Sequence, residues 1–137
     1  SQEERYGNFS SIGTLYPPLG LAYLAAIAEK IGEVKVLDSE AMNYTYSDIE
    51  KLVREFNPDV VGMQVYCTTI SRCYKVAEIL KSINPNVKIV LGGAQATLEP
   101  ERLVSFAFLR SFLLAKRIFC LFAIKIFLNS FKKKFLC

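Results

Sequence analysis

Apolar positions along the first hundred residues recur with a period near 3.6 in some stretches and near 2 in others, and the stretches alternate. Residues 19–31 follow Pro17 and Pro18, carry Leu21, Leu24, Ala25, Ile27, Ala28 and Ile31, and stop at Gly32. That pattern predicts a helix apolar on most sides, of the kind that packs against a sheet. A β-branched run over 34–37 ends at Asp38. A second helix is predicted over about 47–56, where Ser47 and Glu50 have capping-box spacing and Ile49, Leu52, Val53 and Phe56 share a face. Asn57-Pro58-Asp59-Val60-Val61 is echoed 27 residues later by Asn84-Pro85-Asn86-Val87-Lys88. In both, the Asn-Pro turn ends a helix and launches a buried-type strand, 60–65 and 87–91. The helix between them, 70–83, is amphipathic through Cys73, Val76, Ala77, Leu80 and Ile83. Strands alternating with helices in this way predict an α/β, doubly wound domain around a parallel sheet. Three clear strands are too few for one. A weak strand over 7–15 could precede the first helix, and the rhythm stops after Leu91, so the sheet is expected to be incomplete, with exposed strand edges and poor solubility.

Composition divides the chain. Its 137 residues, 52% hydrophobic and 22% charged, suit one domain with a core, and the net charge of +4 suggests a mildly basic protein. Up to Glu101, however, 9 Lys and Arg face 13 Asp and Glu, whereas from Arg102 onward there are 8 basic residues and no acid. Eight of the ten Phe lie in that second part, and all seven Gly and five Pro in the first. The expected organisation is therefore a partial domain over 1–101 and an atypical hydrophobic, basic tail over 102–137. The absence of histidine excludes a His general base, a Ser-His or Cys-His dyad, a His-ligated zinc and an axial imidazole. Cys67, Cys73, Cys120 and Cys137 match no metal-binding or iron–sulfur spacing and are expected to be reduced thiols of a cytoplasmic protein. The chain opens Ser1-Gln2-Glu3-Glu4, without a Met or a signal segment, so a start further upstream is expected.

Open α/β sheets bind ligands at the carboxyl ends of their strands. Those ends should carry Asp38-Ser39-Glu40-Ala41, Tyr66-Cys67-Thr68-Thr69 and Gly92-Gly93-Ala94-Gln95-Ala96-Thr97. The glycine pair allows backbone to approach a ligand closely, or makes a tight connection. Thr68, Thr69 and Ser71 can bond a polar ligand or cap the next helix. Asp38 and Glu40 could form a carboxylate pair, although a strand-end Asp bonding loop amides is the commoner arrangement. Neither a G-x-G-x-x-G dinucleotide fingerprint nor a phosphate loop occurs, and no nucleophile has an evident partner, so no catalytic residue or metal ligand is assigned.

Four motifs, in order and spacing, carry a resemblance: Pro17-Pro18-Leu19-Gly20-Leu21-Ala22-Tyr23-Leu24-Ala25, Val34-Lys35-Val36-Leu37-Asp38, Asn57-Pro58-Asp59-Val60-Val61-Gly62, and Ile89-Val90-Leu91-Gly92-Gly93-Ala94-Gln95-Ala96-Thr97. Over 15–101 the chain resembles the N-terminal cobalamin-binding domain of cobalamin-dependent radical SAM enzymes. The resemblance implies a Rossmann-like, flavodoxin-type three-layer domain that holds a corrinoid at the strand ends. The iron–sulfur cluster, S-adenosylmethionine and methyltransferase-like chemistry would belong to a downstream barrel absent from this chain. By position, Pro17, Pro18, Leu19, Gly20, Asp38, Thr68, Thr69, Ser71, Gly92, Gly93, Gln95 and Thr97 would bind the corrin and its nucleotide tail. Placed on Gly20, the D-x-H-x-x-G pattern of other cobalamin domains would put its Asp and His at Leu15 and Pro17, so the resemblance implies base-off cobalamin without a protein His ligand. Gln95 stands where relatives often have His, and Gln does not titrate near neutrality.

The family's first strand, normally central, should precede Pro17 and is not evident, and after Glu101 the family pattern is lost. The tail has three readings: a shifted reading frame, a helix that packs on the sheet or lies on an anionic membrane surface through Lys132, Lys133 and Lys134, and a membrane span. Arg110, Lys116, Arg117 and Lys125 interrupt the apolar run, which counts against the span. No nucleic-acid recognition fold accompanies the basic run. The expected function is corrinoid binding. The alternative is a non-catalytic flavodoxin-like interaction module, tethered to membrane or partner by its tail.

Overall fold

A computed structural model of the chain describes residues 18–104, 112–114 and 133–137. Helix α1, Leu19–Ala28, begins where the Pro18 carbonyl accepts the N–H groups of Leu21 and Ala22 at 2.9 and 3.0 Å. It ends earlier than the expected residue 31 because Lys30 and Ile31 close a tight turn onto Ile27 and Ala28. Strand β1 is Gly32–Lys35, so the extended run starts at the glycine rather than at Val34.

Helix α2, Tyr46–Phe56, has its capping box one pair upstream of the expected Ser47 and Glu50. The Thr45 hydroxyl accepts the Asp48 N–H at 3.3 Å while the Asp48 carboxylate accepts the Thr45 N–H at 3.0 Å. Glu50 instead pairs with Arg54 at 2.7 Å. The helix closes on Asn57 in the left-handed region, φ 46°. There follow β2 (Val60–Gln64), α3 (Ile70–Ile83), β3 (Lys88–Gly92), α4 (Ala94–Leu98), α5 (Pro100–Val104), β4 (Phe112–Leu114) and β5 (Lys133–Leu136). The ends of α3 match the sequence expectation.

The five strands form one parallel sheet in the order β1-β5-β2-β3-β4. Period-2 alternation sends successive side chains to opposite faces. On one face Val61, Val65, Ile89, Leu91 and Leu136 pack under Ile49, Val53 and Phe56 of α2 and Ala77 and Leu80 of α3. On the other, Val60 and Phe135 meet Ala28 of α1, with Val34 and Val90 alongside. Helices on both faces of a parallel sheet make the three-layer, doubly wound architecture expected from the sequence.

The tail departs from expectation. Of its residues after α5, those described are strands rather than helix: β4 pairs with β3, and β5 lies between β1 and β2. An interior position of the sheet, where a missing strand was expected, is thus occupied. The reason is local: Phe135 and Leu136 are consecutive apolar residues, and an extended backbone gives each a different core, leaving them 5% and 3% exposed. The weak strand at 7–15 and most of the tail lie outside the described residues. Among the described residues no helix is long and apolar enough to cross a membrane.

Candidate functional site at the carboxyl edge of the sheet

Gln64, the last residue of β2, lies at the focus of the ligand edge. A Cβ built on Gly20 at the start of α1 would sit 3.9 Å from its amide nitrogen, and one built on Gly93 would sit 3.1 Å from its Cγ. The Gln64 amide donates to the Tyr66 hydroxyl at 2.6 Å. From this edge α1 runs along one face of the sheet and α3 along the other, and the carboxyl ends of the strands are where doubly wound sheets bind their ligands.

The two adjacent glycines differ. Gly93 adopts φ 97° and ψ −174°, a region essentially restricted to glycine, and a Cβ there would lie 3.0 Å from the Val65 carbonyl oxygen. It brings the loop against the end of β2, where the Val65 N–H donates to Gly92 at 2.8 Å and the Val65 carbonyl accepts the Gln95 N–H at 3.3 Å. Gly92 faces open space, with nothing within 4 Å of a built Cβ. One glycine shapes the connection and the other leaves room beside it.

The remaining residues expected at the site fall into two groups. Pro18, Leu19, Gly20, Thr68, Ser71, Gly92 and Gly93 lie at helix starts and strand ends of this edge. Several others are committed to the fold. The Thr69 hydroxyl, 9% exposed, accepts the Tyr66 N–H at 2.9 Å and donates to the Tyr66 carbonyl at 3.2 Å, which shapes the turn rather than capping α3. Thr97 donates to the Gly93 carbonyl at 3.2 Å. Buried Gln95 donates from its amide to Glu99 at 2.8 Å. Asp38 accepts the N–H groups of Glu40 and Ala41 at 3.2 and 3.0 Å, so its carboxylate organises its own loop. Pro17 lies outside the described residues. Beneath the β2 loop, burial pushes the Cys73 thiol up, against smaller lowering influences from Thr69 and Arg72.

Gln64 was not among the candidates drawn from sequence, and Tyr66 entered only as the first residue of a strand-end segment, not as a ligand-binding residue. The available signal was a polar residue ending an otherwise apolar strand, followed two positions later by an aromatic residue on the loop.

The edge is rimmed by large apolar side chains left in water: Leu19 (65% exposed) opening α1, Met42 in the loop after β1, Tyr66 after β2, and Leu98 (76%) closing α4. With the open space at Gly92 and the amide and hydroxyl groups beside it, this is a surface for a broad, apolar, amide-fringed macrocycle, and the residues fit a corrinoid on those grounds. Among the described residues no cluster of three His, Cys, Asp or Glu could hold a metal ion by itself.

The B12 binding domain family matches residues 7–110, and the chain belongs to that family. The chain is 44% identical over 90 residues to an uncharacterised methyltransferase of Pyrococcus horikoshii, covering 66% of this chain and 20% of the relative. It is 32% identical over 103 residues to the cytidylyl-2-hydroxyethylphosphonate methyltransferase of Streptomyces wedmorensis (61% and 19%). With the anaerobic magnesium-protoporphyrin IX monomethyl ester cyclase of Rubrivivax gelatinosus it shares 30% over 84 residues (60% and 15%). The matched part of the chain thus spans a fifth or less of each of these relatives. No solved structure matches.

Proposed function

We propose that the carboxyl edge of this sheet holds cobalamin base-off, without a protein imidazole on the cobalt, as the cofactor-holding part of a radical SAM enzyme of the methyltransferase kind. The observation that carries the reading is the unfilled space at Gly92 within an apolar rim, in a chain of the B12-binding family. A bound corrinoid supplies a cobalt centre able to carry a one-carbon group. The protein's part is to receive and orient it. Pro18, Leu19 and Gly20 would meet the macrocycle from the α1 side, while Gly92 and Gly93 would admit it close to the backbone. The Thr68 and Ser71 hydroxyls and the Gln64 amide would bond its polar fringe. Thr69, Gln95, Thr97 and Asp38 act through the loops they hold. With no histidine in the chain, no imidazole is available to replace the lower base.

The test is titration of the chain with hydroxocobalamin, followed in the visible spectrum, and electron paramagnetic resonance of the cob(II)alamin complex. Base-off binding removes the nitrogen splitting of the axial base. Gly92→Leu, which fills the open space, should abolish binding while the circular dichroism stays unchanged. A complex that retains the nitrogen splitting would refute the base-off state. A folded chain that leaves the spectrum unshifted would refute corrinoid binding and favour the interaction module.

A further inference from the structure

We propose that the interval between β1 and β2 is a strand-acceptor groove, and that residues 133–137 are its exchangeable occupant. Strand β5 is an interior strand of the sheet, next to edge strand β1, but is remote in sequence from both neighbours. Everything that specifies it lies within four residues. At its start Asp59 reads the backbone of Lys134 twice: the Lys134 N–H donates to the Asp59 carboxylate at 3.0 Å, and the Asp59 N–H donates to the Lys134 carbonyl at 2.9 Å. The Lys134 ammonium lies 3.7 Å from Glu33 and 5.3 Å from the centre of the Phe56 ring. Phe135 and Leu136 then enter opposite cores. At the far end the Cys137 N–H donates to the Lys35 carbonyl at 2.9 Å, and its carbonyl accepts the Leu37 N–H at 2.6 Å.

This is strand addition with backbone bonds for affinity and alternate pockets for specificity. It differs from edge addition in having a strand on either side. The occupant it selects is a cation followed by two apolar residues, with a residue beside Gly62 that needs little room. β1 and β2 remain joined in the chain through α2, which packs on Val61, while in the sheet β1 is hydrogen-bonded to β5 alone among the described strands. Occupancy reaches the ligand edge directly: the Cys137 backbone holds residues 35–37, which lead into the Asp38 loop.

A Cβ built on Gly62 would sit 3.8 Å from the Cys137 sulfur and meet nothing else within 4 Å, so a cysteine there reports occupancy. The full chain carrying Gly62→Cys is treated with oxidised glutathione as oxidant, alone and with excess synthetic peptide of residues 131–137, and the disulfides are mapped by mass spectrometry. Alone, the chain should link position 62 to Cys137. With peptide, that link should fall severalfold and the peptide should be captured at position 62, whereas a peptide with Asp in place of Phe135 and Leu136 should not be. A 62–137 link between two copies also supports exchange. No link at position 62, while exposed Cys67 is glutathionylated in the same sample, overturns the docked strand, and a link indifferent to peptide overturns exchange. Hydrogen exchange on the unaltered chain gives a second readout that needs no variant. Slow exchange at 133–137 that excess peptide accelerates supports the proposal, and exchange as fast as in the free peptide overturns it.

Discussion

Alanine at Gly93 meets two obstacles that alanine at Gly92 does not. The backbone at 93, φ 97° and ψ −174°, lies in a region that costs a residue bearing a Cβ about 1–3 kcal/mol. The added methyl would also press on the Val65 carbonyl oxygen at 3.0 Å and the Val65 nitrogen at 3.2 Å, both backbone atoms that move only with β2. Overpacking of that kind costs a further ~1–3 kcal/mol. Gly93→Ala should therefore lose about 3 kcal/mol, a large part of the ~5–15 kcal/mol of an ordinary domain. With a urea slope near 2 kcal/mol per molar, the unfolding midpoint falls by about 1.5 M. At Gly92 a methyl meets nothing within 4 Å, so Gly92→Ala should be neutral or should gain ~0.4–1 kcal/mol by restricting the unfolded chain. Urea unfolding followed by circular dichroism measures both. Equal midpoints for the two variants would refute the division of labour between the glycines.

Thr45→Ala removes the cap of α2 and should cost about 1 kcal/mol in the same urea assay. The Asp48 carboxyl is held below its ordinary value, first by the Thr45 hydroxyl and then by the Thr45 N–H, with the Lys51 charge as a smaller contribution. Its folded pKa is below its unfolded one, so its stabilisation is full above the ordinary carboxylate value and is lost as pH falls through the folded value; Asp48→Asn should flatten the acid limb of stability against pH. The Cys73 thiol, raised by burial, works in the opposite sense: its contribution is present below the ordinary thiol value and is lost as pH rises through the folded one. Iodoacetamide should accordingly label exposed Cys67 well before Cys73, which peptide mass mapping checks.

Helix α3 was legible in sequence to the residue because a long amphipathic repeat is bounded by a turn at one end and Asn-Pro at the other. β2 and β3 were legible because β-branched runs follow each Asn-Pro turn. The cap of α2 was misplaced because two overlapping patterns, Thr45 with Asp48 and Ser47 with Glu50, satisfy the same spacing. The three-dimensional choice follows from Thr45 being extended and Glu50 being held by Arg54. At the candidate site the glycine pair could be read in advance, but not which glycine the backbone requires. That depends on how near Val65 comes, a tertiary distance. Strand β5 was the least legible element. Phe135 and Leu136 after three lysines carry no periodicity, and only the vacancy between two partners remote in sequence makes them a strand.

The position between β1 and β2 is filled by residues numbered after every other described strand, and this bears on how the protein is made. During synthesis β1, β2 and β3 leave the ribosome with the position between β1 and β2 still empty, and the facing edges of those two strands are unpaired. A nascent chain in that condition offers pairing surfaces to its neighbours until residue 136 has emerged. Because every contact of β5 with β1 spans about a hundred residues, closure is also the step with the highest loop entropy, and it should be the slowest. The yield of folded protein would then depend on how long that position stays open in the cell, and a chaperone that shields strand edges would raise it.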